Sequence, residues 1–174
     1  AALVKARSAG RNAVMMVLPA DQIIKKTEEM HKVLLDCCEF ASKGKAVTIG
    51  VAPNFPSTGY GYIHCGQRIQ SHLGTIFYES LGFKEKPDIE TANKFLEEKC
   101  YKWNSGIFVW SLDTILGAFE KHAPALFHAV QVFSAAAQDA KLDQILATEY
   151  VKFPRISIDY AVMEKMDNES IVVA

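Results

Sequence analysis

Five short stretches of this chain carry side chains able to do chemistry on a charged or hydroxyl-rich molecule. Asp21 follows the apolar run Ala13-Val-Met-Met-Val-Leu18 after Pro19 and Ala20. A carboxylate just past the carboxyl end of a buried strand is well placed to hold Mg²⁺ against a triphosphate. It is equally suited to cap a following helix. In Thr58-Gly-Tyr-Gly-Tyr-Ile63 two glycines flank an aromatic at a strand entrance. Gly61 there would let backbone approach a ligand closely, or simply serve a turn that needs positive φ. Phe83-Lys-Glu-Lys-Pro87 alternates charge. On a strand, Lys84 and Lys86 would point one way and Glu85 the other. The ammonium suits a phosphate and the carboxylate accepts from hydroxyls, although a solvated strand end would look the same. Trp103-Asn-Ser-Gly-Ile-Phe108 sets Asn104 in an apolar strand, where a sugar or a bulge must satisfy it. Ser157-Ile-Asp-Tyr160 opens a helical segment, with Asp159 either a first-turn acid or a ligand contact.

Other chemistries find little support. The histidines (31, 64, 72, 122 and 128) show no metal or triad spacing, and no Walker loop or GxGxxG occurs. Cys37, Cys38, Cys65 and Cys100 form no CxxC pair, which suits reduced, half-buried thiols in a cytoplasmic protein. Nineteen Lys and Arg against twenty Asp and Glu leave a net charge of -1. No general basic field therefore exists for nucleic acid or an acidic membrane. No stretch is long and apolar enough to span a bilayer. Residues 1–11 carry positive charge without a following signal-type apolar run, and read as interior sequence.

The elements that must position these residues alternate. The run 13–18 suits a strand buried on both faces; Gln22 to Lys43 has helical spacing and is stopped by Gly44; Lys45 to Val51 suits a second buried strand. This is a β-α-β unit with a right-handed crossover. Strands are expected over Tyr60–Gln70, Thr75–Glu85 and Tyr101–Trp110, the last interrupted by Asn-Ser-Gly. Asp88 caps an expected helix to Lys99, and further helices follow at 112–122, 124–137, 142–147 and 158–166 before a strand at 171–173. The length fits one domain, 1–174.

Singly these stretches are weak signals, but their order is specific. Val-Leu-Pro-Ala-Asp21, Thr-Gly-Tyr-Gly-Tyr-Ile63, Phe-Lys-Glu-Lys-Pro-Asp88, Trp-Asn-Ser-Gly-Ile-Phe108 and Ile-Ser-Ile-Asp-Tyr-Ala-Val-Met-Glu-Lys165 occur in series. The series resembles the mannose-1-phosphate guanylyltransferase family across nearly the whole chain. The resemblance implies an α/β, Rossmann-like nucleotidyltransferase fold: a mixed, mostly parallel sheet flanked by helices. It implies GTP and mannose 1-phosphate as partners, GDP-mannose and pyrophosphate as products, and Mg²⁺ as cofactor. By motif, Asp21 would bind Mg²⁺ and Lys86 the sugar phosphate, these two being the catalytic candidates. Glu85 and Asn104 would meet the mannose hydroxyls, Gly61 would offer backbone, and Asp159 would lie near the sugar.

Three departures shape the expectation. The family's glycine-rich, GxGxRxxPxS-like phosphate loop has no counterpart in residues 1–11, and its DVGSW-like second metal motif is not reached by Ala174. Gln22 stands where the family usually has histidine. The domain is therefore expected to be incomplete at both ends and inactive alone. Two alternatives stay open: another hexose-1-phosphate nucleotidyltransferase, for example with UTP and glucose 1-phosphate, or a non-catalytic sugar-nucleotide-binding regulatory homologue. Homo-oligomerisation is left open.

Overall fold

The structure is a computed structural model that describes residues 13–136 and 142–174. The interior reading of residues 1–11 and the helix end expected at Ala137 lie outside these residues. Six strands form one sheet: β1 (Val14–Val17), β2 (Ala46–Val51), β3 (Tyr62–Gln70), β4 (Ile76–Lys84), β5 (Tyr101–Ser111) and β6 (Ile171–Val173). Their order is β1-β5-β2-β6-β4-β3, and a further β3–β5 pairing closes five of them into a ring. The helices are α1 (Thr27–Ser42), α2 (Ile89–Glu98), α3 (Leu112–His122), α4 (Pro124–Ala136), α5 (Leu142–Glu149) and the single turn α6 (Ile158–Ala161).

The mostly parallel sheet expected from the sequence does not form. Among the described residues only β2 and β6 pair in parallel; the other pairings, β1–β5, β2–β5, β3–β4, β3–β5 and β4–β6, are antiparallel. The reason is local. The link from Gln70 to Ile76 is too short for a crossover, so β3 and β4 must fold back as a hairpin. The β-α-β unit survives in altered form. β1 and β2 run in the same direction, but both pair with β5, which lies between them.

Alternation along the central strands builds two cores. Val47, Val109 and Val172 face one side with Cys37 and Ala41 of α1. Their neighbours Ala46, Phe108, Trp110 and Ile171 face the other side with Ile115 and Ala118 of α3 and Ala161 to Met163. Strands covered on both faces by helices read as unbroken apolar runs, as these do. The thiols behave accordingly: all four cysteines are free. Burial pushes the Cys37 thiol up to about 12, and burial likewise raises Cys65 to about 11.

Helix boundaries follow their caps where caps exist. Asp88 accepts from Thr91 N at 2.8 Å, and Ser111 accepts from Thr114 N at 3.0 Å. Helix α1 starts at Thr27, five residues later than the expected Gln22, with Lys26 in the cap position. The periodic residue Ile23 that suggested the earlier start is 90% exposed. The segment expected as a helix over 158–166 is α6 followed by a 3₁₀ turn, Met163–Lys165, with Val162 at φ -131 between them.

One buried acid ties α1 to the hairpin. Asp36, 1% exposed, accepts from Ser71 Oγ at 2.6 Å, Leu73 N at 3.1 Å and Thr75 N at 3.0 Å. Burial opposes ionisation of this carboxyl, but the bonds from Ser71, Thr75 and Leu73 outweigh it and hold its pKa below the usual range. A depressed acid pKa stabilises the fold above the unfolded value, and that contribution fades as pH falls through the folded value. Asp36→Ala should therefore cost about 1–3 kcal/mol at pH 7. Thermal melts from pH 7 to pH 3 should show the gap to wild type closing below about pH 4. A gap that stays constant across that range would refute the assignment.

Candidate functional site

The centre of the candidate site is an irregularity in β5. Thr48 of β2 pairs with Phe108, but Gly50 pairs with Asn104, so β5 carries two extra residues there. Gly106, at φ 74, supplies the turn in the bulge. The strand is therefore continuous from Tyr101 to Ser111, and the polar triplet expected to interrupt it bulges instead. Asn104 Oδ1 accepts from Thr48 Oγ1 at 2.9 Å and from Gly106 N at 3.2 Å. Its Nδ2 donates to Asp159 Oδ1 at 2.9 Å. The Gly106 N–H, a donor, and the Asp159 carboxylate, an acceptor, thus fix which end of the amide is which. The oxygen is occupied twice, and one N–H of the amide has its partner.

Asn104 also reaches β3, its N–H donating to the Gly61 carbonyl at 2.8 Å. Gly61 is needed for space. A Cβ at this position would collide with Glu85 Oε2 and lie 3.2 Å from the Phe83 ring and 3.4 Å from Asn104 Cβ. The glycine is thus the floor on which the Glu85 carboxylate rests. The neighbouring loop is fastened by Ser57 N, which donates to Tyr62 Oη at 2.9 Å.

Glu85 lies one residue beyond β4, so the strand alternation assumed for Lys84, Glu85 and Lys86 stops at Lys84. Lys86 adopts φ 44, unusual for a residue with a Cβ. Lys86 Nζ lies 3.5 Å from Glu85 Oε1, the two side chains being 53% and 7% exposed. A buried acid therefore carries a half-exposed cation above it. Lys84 pairs instead with Glu164 at 3.8 Å. Burial raises the Glu85 pKa; the nearby Asp159 and Glu164 charges add to this, and Lys86 opposes it.

The structure therefore brings Gly61, Glu85, Lys86, Asn104 and Asp159 into one cluster. Asp21 is exposed in the turn after β1 and caps no helix, which removes that alternative. The next residue, Gln22, donates from Nε2 to the Ser105 carbonyl at 2.6 Å, tying this turn to the β5 bulge. Among the described residues no three His, Cys, Asp or Glu side chains gather as a metal cage. A lone carboxylate fits a Mg²⁺ that arrives with phosphates, since Mg²⁺ is commonly held by one or two carboxylates plus phosphate oxygens.

Two residues of the cluster carried no sequence signal of their own. Thr48 is fully buried in what reads as an apolar strand. Glu164 accepts from the Glu85 N–H at 2.8 Å. On a continuous helix Glu164 and Asp159 would sit about 140° apart. The break at Val162 brings both to the same cluster.

Residues 1–147 match the sequence profile of the family described as Nucleotidyl transferase. The chain belongs to that family. It is 37% identical over 173 residues to a mannose-1-phosphate guanylyltransferase of Sinorhizobium fredii, covering 99% of this chain and 33% of that protein. A Salmonella montevideo mannose-1-phosphate guanylyltransferase is 37% identical over 166 residues, covering 94% of this chain and 35% of the relative. The resemblance carried by the motif series is thus borne out, and the chain spans about a third of the length of these curated relatives. Among solved structures, a Thermus thermophilus protein described as a mannose-1-phosphate geranyltransferase superposes with a TM-score of 0.79 at 32% identity, over 99% of this chain and 47% of that one. A Helicobacter pylori structure described as a mannose-6-phosphate isomerase shares the fold, with a TM-score of 0.76 at 22% identity over 99% of this chain and 65% of that one.

The elevated Glu85 pKa has a testable consequence. An acid whose pKa is raised on folding costs stability while ionised, and that cost disappears as pH falls toward the unfolded value. Glu85→Gln should raise the Tm at pH 7 to 8 by a few degrees, on the order expected for a small stability gain. The advantage should shrink as pH falls toward about 4, the unfolded range of a glutamate, as wild-type Glu85 takes up its proton in both states. Melting curves that place the variant below wild type at pH 8 would contradict the electrostatic reading.

Proposed function

We propose that this chain is the sugar-phosphate-binding part of a mannose-1-phosphate guanylyltransferase, an enzyme that converts GTP and mannose 1-phosphate into GDP-mannose and pyrophosphate. The observation that carries the reading is the arrangement of Glu85, Lys86 and Asn104. A buried acceptor and an amide with a remaining N–H stand beside a cation that can swing into solvent. A hexose 1-phosphate presents the complement: hydroxyls that donate to Glu85, a hydroxyl that accepts from Asn104, and a phosphate for Lys86. The names of the relatives supply mannose as the hexose.

In the proposed reaction a phosphate oxygen of the sugar attacks the α-phosphorus of GTP in line. A new phosphorus–oxygen bond forms as the α–β bond breaks, and pyrophosphate leaves with the bonding electrons. The attacking oxygen is already an anion, so no side chain has to remove a proton. Lys86 positions it, and the Glu85 and Asn104 contacts fix the sugar so that the oxygen points along the line of attack. Mg²⁺, with Asp21 as its protein ligand, would offset charge on the transferring phosphate.

Calorimetric titration tests this reading. GDP-mannose with Mg²⁺ should bind saturably and UDP-glucose should not. Glu85→Ala and Asn104→Ala should each weaken GDP-mannose by about 10–100-fold, the scale of a lost hydrogen bond to a charged or buried group. Preferential binding of UDP-glucose would transfer the proposal to a different hexose phosphate and nucleotide. Absence of binding to either ligand would sink it. The chain by itself is proposed not to turn over, and pyrophosphate release from the purified 174-residue protein would overturn that part.

A further inference from the structure

Glu164 occupies a position that the sugar and phosphate contacts do not explain. Its Oε1 accepts from the Glu85 backbone N–H at 2.8 Å and lies 3.8 Å from Lys84 Nζ. The Glu164 side chain is 22% exposed, so the bond is shielded from water. The segment it grips turns sharply. Lys84 is still paired to Tyr62 in the hairpin, Lys86 is at φ 44, and Asp88 already caps α2. Between these anchors, the bond to Glu164 is the one the Glu85 amide makes, and it comes from residues 79 positions later in the chain. Backbone in a sparsely populated conformation persists when its surroundings over-determine it. A buried N–H without a partner would be costly. Cutting this tie frees the turn that aims both the Glu85 carboxylate and the Lys86 ammonium.

We propose that Glu164 is a positioning residue for hexose 1-phosphate: by accepting from the Glu85 amide it sets the Glu85–Lys86 turn at the spacing that lets one ligand meet acid and cation together. This rests on the functional reading above. Glu164 touches no ligand in this scheme and acts through the turn. The bond needs an oxygen acceptor of the right length and no charge, so glutamine serves and alanine or aspartate does not. The bond acts on the Glu85–Lys86 turn, so the nucleotide half of the ligand should be indifferent to it.

The experiment compares wild type with Glu164→Gln, Glu164→Asp and Glu164→Ala, titrating mannose 1-phosphate and, separately, GTP with Mg²⁺. Glu164→Gln should keep mannose 1-phosphate affinity within about threefold, and Glu164→Ala and Glu164→Asp should weaken it about tenfold or more, on the scale of one lost hydrogen bond. Any GTP affinity should not change. Amide hydrogen exchange gives a second readout that needs no ligand: the Glu85 N–H should be protected in wild type and Glu164→Gln and exchange faster in Glu164→Ala. Equal mannose 1-phosphate affinity in a folded Glu164→Ala protein would overturn the proposal. So would equal loss in the glutamine and alanine variants, because charge would then be what matters. If wild type binds no hexose phosphate, the functional reading fails, while the exchange pattern still decides whether Glu164 holds the turn.

Discussion

The site depends on one amide side chain. Asn104 has its oxygen held by Thr48 and Gly106, its nitrogen by Asp159, and its backbone N–H by the Gly61 carbonyl. Those partners belong to β2, to the β5 bulge, to α6 and to the loop entering β3. Three of these pieces meet at the planar side-chain amide and the fourth at the backbone of the same residue. The carbonyl and amino ends of the amide cannot be exchanged without breaking the bonds to Gly106 and Asp159. A network in which each member is satisfied rigidifies its surroundings, whereas one broken member leaves several buried groups without partners. The bulge makes this geometry available. Asn104 stays paired with Gly50 of β2, and the bulge beyond it brings the local Gly106 N–H to its side-chain oxygen.

Electrostatic tension is built into the same place. Glu85 is buried on glycine, faces the Asp159 and Glu164 carboxylates, and is relieved by Lys86. Nothing about folding asks for this arrangement, since an uncharged side chain would be easier to bury. Such discord with the surroundings is common where a ligand is meant to complete the contacts. Asp36 is the contrasting case. Equally buried, it is answered by three donors within the chain, and its pKa moves the opposite way. Two buried acids thus separate by what surrounds them: one is met by donors from within the chain, the other by two carboxylates and a single cation.

What the sequence conveyed well was identity of type and order along the chain. Asp88 was legible as a cap because a short acceptor before a periodic run acts locally, and its cap bond forms. The apolar runs at β2 and β6 were legible as buried strands for the same reason. Strand direction was not, because it is decided by long-range pairing: β5 inserts between β1 and β2, and β3 closes back onto β5. The start of α1 was misplaced because Ile23 has helical spacing but packs on nothing. Glu164 stood inside a quoted motif without a role of its own, since a one-residue break at Val162 redirects it. Gly61 was singled out as backbone that could approach a ligand; that it also makes room for the Glu85 side chain is revealed only by tertiary contact.

The ring of strands carries a consequence for how the site comes into being during synthesis. Its residues all lie between Thr48 and Glu164, yet the ring that fixes their spacing is sealed by β6, Ile171–Val173, wedged between β2 and β4. Until those three residues emerge, β2 and β4 have no common neighbour, and the strands bearing Thr48 and Glu85 are held together only through the β3 and β5 side of the loop. Contacts this far apart in sequence form late, after the local helices and the β3–β4 hairpin. A nascent chain that has emerged from the ribosome only as far as Lys165 would possess every residue of the cluster but not the strand that joins β2 to β4. The final spacing of the cluster is thus set late, once β6 has taken its place in the ring.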